Sequence, residues 1–143
     1  MIVCYKFGSR KNGDLSPREG IKLHLFHSEA HENKVLYTTN KFPVSSYRDS
    51  ITEIILTTRD GSYAAIGEVV DLGRKDVFAP PSDYSVPSIY SDQEEETTTG
   101  WFAIRNLKKI EIKSGDFTSV NGKDLLESLS GNAYMVYTTS NED

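Results

Sequence analysis

The sequence predicts an α+β domain built on a curved, mostly antiparallel sheet or a small β-barrel flanked by short helices. Three observations carry this. Most of the apolar residues fall in strand-length runs that alternate or are rich in β-branched and aromatic side chains. Only two segments combine helical spacing with capping residues. Asp60-Gly61 joins two of the apolar runs as a hairpin turn. At 143 residues the chain fits one domain over 1–143, with a long loop at 74–99.

The elements follow in order. "MIVCYKFG" alternates and predicts a first strand at about 2–7. After the turn-rich, basic "SRKNGD", the segment "SPREGIKLHLFHSEA" opens with Ser16 as N-cap, Pro17 at N1 and Glu19 at N3, a capping box. Ile21, Leu25 and Phe26 are expected on its core side. "NKVLYTT" predicts a second strand, and "TEIILTT" with "SYAAIGEVVDL" a hairpin across "RDGS". "WFAIRNLKKIEI" predicts another strand, interrupted at Asn106. "NGKDLLESLSGN" reads as a short helix with Asn121 as cap, Leu125, Leu126 and Leu129 inward, and Gly131 as terminator. "AYMVYTT" closes the series as a strand.

Composition narrows the class. With 37% hydrophobic and 26% charged residues, the chain has enough apolar side chains for a core and too many charges for a membrane bundle. No apolar run reaches bilayer length, and the N-terminus lacks the apolar block of a secretory signal, so no membrane partner is expected. Cys4 is the single cysteine, expected to be a buried packing residue, and no intrachain disulfide can form. A cytoplasmic location follows as the expectation. A net charge of −5 excludes a protein that coats nucleic acid through phosphates alone, while leaving room for a local basic edge.

Three features bear on function. Gly67 interrupts the strand "SYAAIGEVVDL", which is expected where another group approaches closely, here a base-sized ligand. The segment from Arg74 to Thr99 holds three of the five prolines, Tyr84, Tyr90 and an acidic run, and reads either as a solvated insertion or as a lid. His24, His27 and His31 share a helix face, but no further His or Cys cluster completes a metal site, so neither metal nor cofactor is expected.

The order of "KVLYTTNK", "EIILTTRDGSYAAIGEVVDL" and "TTGWFAIRNLKKIEI", over residues 35–112, resembles the PUA-like superfamily of EVE, YTH and ASCH domains. That resemblance implies a nucleic-acid-binding module that recognises a modified or extruded base in an aromatic pocket, with DNA preferred to RNA. It also implies service as the specificity domain of a modification-dependent restriction system, with a nuclease or motor domain on the same or another chain. The family's pocket stretch falls on Leu36, Tyr37, Thr38 and Thr39, with Tyr rather than Trp offered to the base. Tyr84, Tyr90 and Trp101 would complete the pocket, and aromatic faces stack on bases whatever the net charge. Ser9, Asn12, Thr38 and Thr39 would read the base edge, and Arg10, Lys11, Lys34 and Lys41 would touch flanking phosphates. The rival reading is an ASCH-like amidohydrolase acting on a modified nucleoside through Thr39, Lys41 and Glu68. A small ligand- or protein-binding module, such as an inhibitor of a defence system, is the third.

Overall fold

The computed structural model describes residues 1–8, 15–90 and 99–141. A single seven-stranded mixed sheet organises them, in the order β2-β5-β4-β3-β1-β7-β6. The strands are β1 (Ile2–Lys6), β2 (Lys34–Thr39), β3 (Glu53–Thr57), β4 (Ala64–Arg74), β5 (Gly100–Ile110), β6 (Phe117–Ser119) and β7 (Met135–Ser140). The helices are α1 (Pro17–Ala30), α2 (Ser45–Arg48) and α3 (Leu125–Leu129). The sheet is open, with β2 and β6 at its edges, so the barrel alternative is set aside. Pairing is antiparallel except between β1 and β3, which run parallel with α1, β2 and α2 in the crossover.

Local chemistry explains most boundaries. Ser16 Oγ accepts the Glu19 N–H and the Glu19 carboxylate accepts the Ser16 N–H, the reciprocal box that starts α1 at Pro17. Gly61 turns the β3–β4 hairpin with φ of +77°. Strand β5 runs through Asn106 rather than stopping there. Asn106 takes φ of +57° and donates its side-chain amide to Glu68 at 2.7 Å, which absorbs an irregularity opposite β4. Three expectations need correction. Phe26 is 62% exposed, because Ile21, His24 and Ser28 form the buried stripe of α1. The cap of α3 is Asp124, whose carboxylate accepts the Leu126 N–H at 3.1 Å, rather than Asn121. The short elements α2 and β6 lack the length and periodicity that announce an element in sequence.

Both sheet faces are covered. Val3, Tyr5, Val35, Tyr37, Ile54, Leu56, Phe102 and Ile104 point to one face, under Ile21 and Leu25 of α1. Their neighbours point the other way. Ile2, Cys4, Ile55 and Val136 pack under Leu125 and Leu129, and Leu36, Trp101 and Ala103 pack under Tyr84 and Val86. The described part of the long loop is largely exposed, yet it is anchored to the sheet at particular residues. Leu36 of edge strand β2 donates its N–H to Ser85 O at 2.9 Å, and Lys34 pairs with Asp83 at 2.8 Å. The segment caps the sheet edge. Among the described residues, no helix is long and apolar enough to cross a membrane.

Candidate functional site

Strand parity divides the expected base pocket in two. In the β2–β5 ladder Tyr37 lies opposite Phe102, and Thr38 opposite Trp101, so Tyr37 and Trp101 face opposite sides of the sheet. Tyr37 joins an aromatic cluster on the α1 side. Its ring lies 5.4 Å from Phe7 and 5.4 Å from Tyr5, and His24 bridges it to Tyr90 with centroids 5.9 and 5.0 Å away. Tyr37 and Tyr90 are thus brought together. Tyr37 is only 9% exposed, its hydroxyl is hydrogen-bonded to Thr39, and burial holds its ionisation well above the usual tyrosine range. The described residues make this a packed cluster rather than a cage. Trp101 and Tyr84 belong to the other face, with Trp101 2% exposed and its Nε1–H donated to Phe78 O at 2.9 Å.

Gly67 leaves room for protein, not for a ligand. A Cβ there would overlap Ile104 Cγ2 and sit 3.2 Å from Leu107 Cδ1, both from the neighbouring strand. This corrects the base-sized-ligand expectation at that position.

The expected polar residues disperse. Lys34 is occupied by Asp83, with its ammonium 5.8 Å from the Tyr84 ring centroid. Thr39 is buried and accepts the Lys41 N–H at 3.0 Å, and Lys41 is exposed. Glu68 lies elsewhere, accepting from Asn106 and Arg105, which hold its carboxyl below the usual range. Thr39 pairs with Gly100 and Glu68 with Arg105, five residues apart on β5, or roughly 17 Å along the strand. Thr39, Lys41 and Glu68 therefore do not assemble into the amidohydrolase constellation. Ser9, Arg10, Lys11 and Asn12 lie outside the described residues. His24 and His27 of α1 and His31 at its C-cap belong to no group of three or more metal-ligating residues among the described residues. His24 is buried against Gly20 O, and His27 and His31 stack at 3.8 Å with His27 held to Ser85.

A different cleft, of about 260 Å³, opens at the end of β4 between Phe42 and Arg48 on one side and Val77 and Phe78 on the other. Its floor is Leu72 and Gly73. Gly73 is small because a Cβ would meet Trp101 Cζ2 at 2.7 Å, and the close indole ties down the chain at Phe78. Phe78 itself is 64% exposed. The Arg48 guanidinium carbon lies 4.6 Å from the Phe42 centroid, and its Nε–H is donated to Pro43 O at 2.8 Å. Arg48 is half-buried and makes no ion pair among the described residues. Across the cleft Arg74 is partly neutralised by Asp76 at 3.3 Å, while Asp71 accepts the Leu72 N–H and keeps its other oxygen. A guanidinium held over a ring, with no hydrogen bond from its outer N–H groups to any described residue, is suited to a planar or oxyanionic partner. Phe42 and Phe78 escape sequence reasoning because they come from irregular segments, and Arg48 because it ends the four-residue helix α2, too short to announce itself. The available signal was an aromatic residue close to proline in "KFPV" and "VFAPP", outside any alternating run.

A second cavity of about 300 Å³ lies beside α3, with Met135, Val136 and Tyr137 in its wall. It offers Lys123 and Glu127 at the rim but no stacked cation. No protein-family model, curated protein or solved structure matches the chain, so the cleft's own residues carry the functional argument.

Proposed function

We propose that this chain is a nucleic-acid-binding module that takes an unstacked base against Phe78 and a neighbouring phosphate on Arg48. One observation carries the reading: a half-buried guanidinium with no ion pair among the described residues, held over Phe42 beside an exposed aromatic ring in a cleft of base-like size. The free oxygen of Asp71 adds an acceptor for an exocyclic amine on the base edge. The PUA-like resemblance supports the same ligand class, and the aromatic pocket is moved from Tyr37 to this cleft. A modified base in DNA is the preferred form of the ligand, and any cleavage belongs to a partner nuclease or motor domain.

The test is fluorescence anisotropy with single- and double-stranded DNA and RNA, with and without modified bases, at stated salt. Stacking contributes about 1–3 kcal/mol per base, so Phe78→Ala should weaken binding roughly 5- to 150-fold. Phe78 is exposed, so the fold should persist. Arg48→Gln should weaken binding and flatten its salt dependence. Parent protein that binds no oligonucleotide, or cleft variants that bind as tightly as the parent, would overturn the reading.

A further inference from the structure

Far from the cleft, three cations converge on one ring. The Arg18 guanidinium carbon and the Lys109 ammonium each lie 4.9 Å from the Tyr63 centroid, and the Lys22 ammonium 5.8 Å. Arg18 and Lys22 stand one turn apart on α1, Lys109 comes from β5, and Tyr63 is the 8% exposed residue that leads into β4. None of the three cations makes an ion pair among the described residues. Two acids close in sequence to Arg18 and Tyr63 are engaged locally. Glu19 caps the Ser16 N–H, and Asp60 accepts from Ser62 N–H, Ser62 Oγ and Thr58 Oγ1.

The arrangement is unfavourable by itself. Arg18 lies in the first turn of α1, where the helix dipole repels a cation, and like charges four residues apart repel each other. The face of Tyr63 attracts each of them. In a chain of net charge −5, such a cluster is a local anion-binding surface.

We propose that Arg18, Lys22 and Lys109 around Tyr63 hold the phosphodiester backbone of the nucleic acid whose base enters the Phe78 cleft. The proposal rests on the nucleic-acid reading and extends it to a second contact. From Ala64 to Gly73, β4 separates the two places by roughly 30 Å, the span of about nine stacked nucleotides at about 3.4 Å rise each. A stacked strand shorter than that would engage one place only.

The experiment measures affinity against salt for the parent and for Arg18→Gln/Lys22→Gln/Lys109→Gln. Glutamine keeps a long polar side chain and removes the charge. Each lost phosphate contact removes about 0.7–0.9 from the log–log slope, so the triple variant should lose about 2–3 on a long strand. On an oligonucleotide of about four residues bearing the cleft's preferred base, parent and triple variant should bind alike. Lys109→Gln alone, losing about 0.7–0.9, serves if the triple variant folds poorly, and Lys22→Arg should keep the parent slope. An unchanged slope on long strands, with Phe78→Ala still weakening binding, overturns this proposal and leaves the cleft reading standing. No binding by the parent overturns both.

Discussion

Acidification should weaken the fold chiefly through one buried imidazole, with His27, which burial and His31 also hold below the ordinary histidine value, adding in the same direction. His24 is 2% exposed, donates Nδ1–H to Gly20 O at 2.7 Å, and is surrounded by the rings of Phe7, Tyr37 and Tyr90. Burial disfavours the charged ring and pushes its pKa from 6.5 down to about 4; the Gly20 bond opposes the shift and His27 adds to it. A depressed histidine pKa means that the unfolded chain binds the proton first. The stability is fully present above pH 6.5 and is lost as pH falls towards about 4. Across the whole window the loss is on the order of 3 kcal/mol, and about 2 kcal/mol of it falls between about pH 7 and pH 5. The carboxylates of Glu68 and Asp83 are held below their ordinary values, so their protonation belongs to the acid end of the window or below it. Urea denaturation at a series of pH values should show this slope in the parent and lose most of it in His24→Leu, the rest belonging to His27. A parent as stable near pH 5 as near pH 7, or a His24→Leu variant with the same slope, would falsify the assignment.

Gly67→Ala should cost about 1 kcal/mol, the balance of overpacking against Ile104 at ~1–3 kcal/mol and an entropic gain of ~0.4–1 kcal/mol. Ile104→Leu, which removes the opposing Cγ2, should recover part of it, and equal urea midpoints for parent and Gly67→Ala would contradict the packing account. Trp101 is the single tryptophan and is 2% exposed, so its emission should be blue-shifted and resist acrylamide quenching until the fold melts. Asn106→Ala should lose about 1–2 kcal/mol, because φ of +57° is strained for alanine and the amide bond to Glu68 is lost. Asn106→Gly should lose less, and a reversed order by thermal melting would refute the backbone argument.

Elements whose cause is local were legible in the sequence. The capping box of α1 needs only Ser16, Pro17 and Glu19, and the β3–β4 hairpin announces itself at Asp60-Gly61. What depends on pairing was not legible. Tyr37 and Trp101 both look like aromatic residues beside a loop, and only the Thr38–Trp101 register puts them on opposite faces. Both faces are buried, so polar–apolar alternation could not tell a pocket from a core. Charges were hidden in the same way. Lys34 is consumed by Asp83, forty-nine positions away, while Arg18, Lys22 and Lys109 gather only after α1 is laid over β5. The cleft joins Phe42, Arg48, Gly73 and Phe78 from separate segments, and no short motif spans them.

The position of β1 inside the sheet has a consequence for how the chain acquires its structure. Ile2 is paired with Glu53 on one side and with Thr138 on the other. Once synthesised, β1 therefore waits for almost the whole described chain before its second ladder can form. Closing so distant a pair slows folding, and at about 5–20 residues per second the wait lasts roughly 7–26 s. During that interval the apolar β1 has one unpaired edge, and the β3 ladder is its only sheet partner. Nascent chains arrested before Met135 should be held by chaperones or clipped by proteases, and release from both should coincide with synthesis of β7.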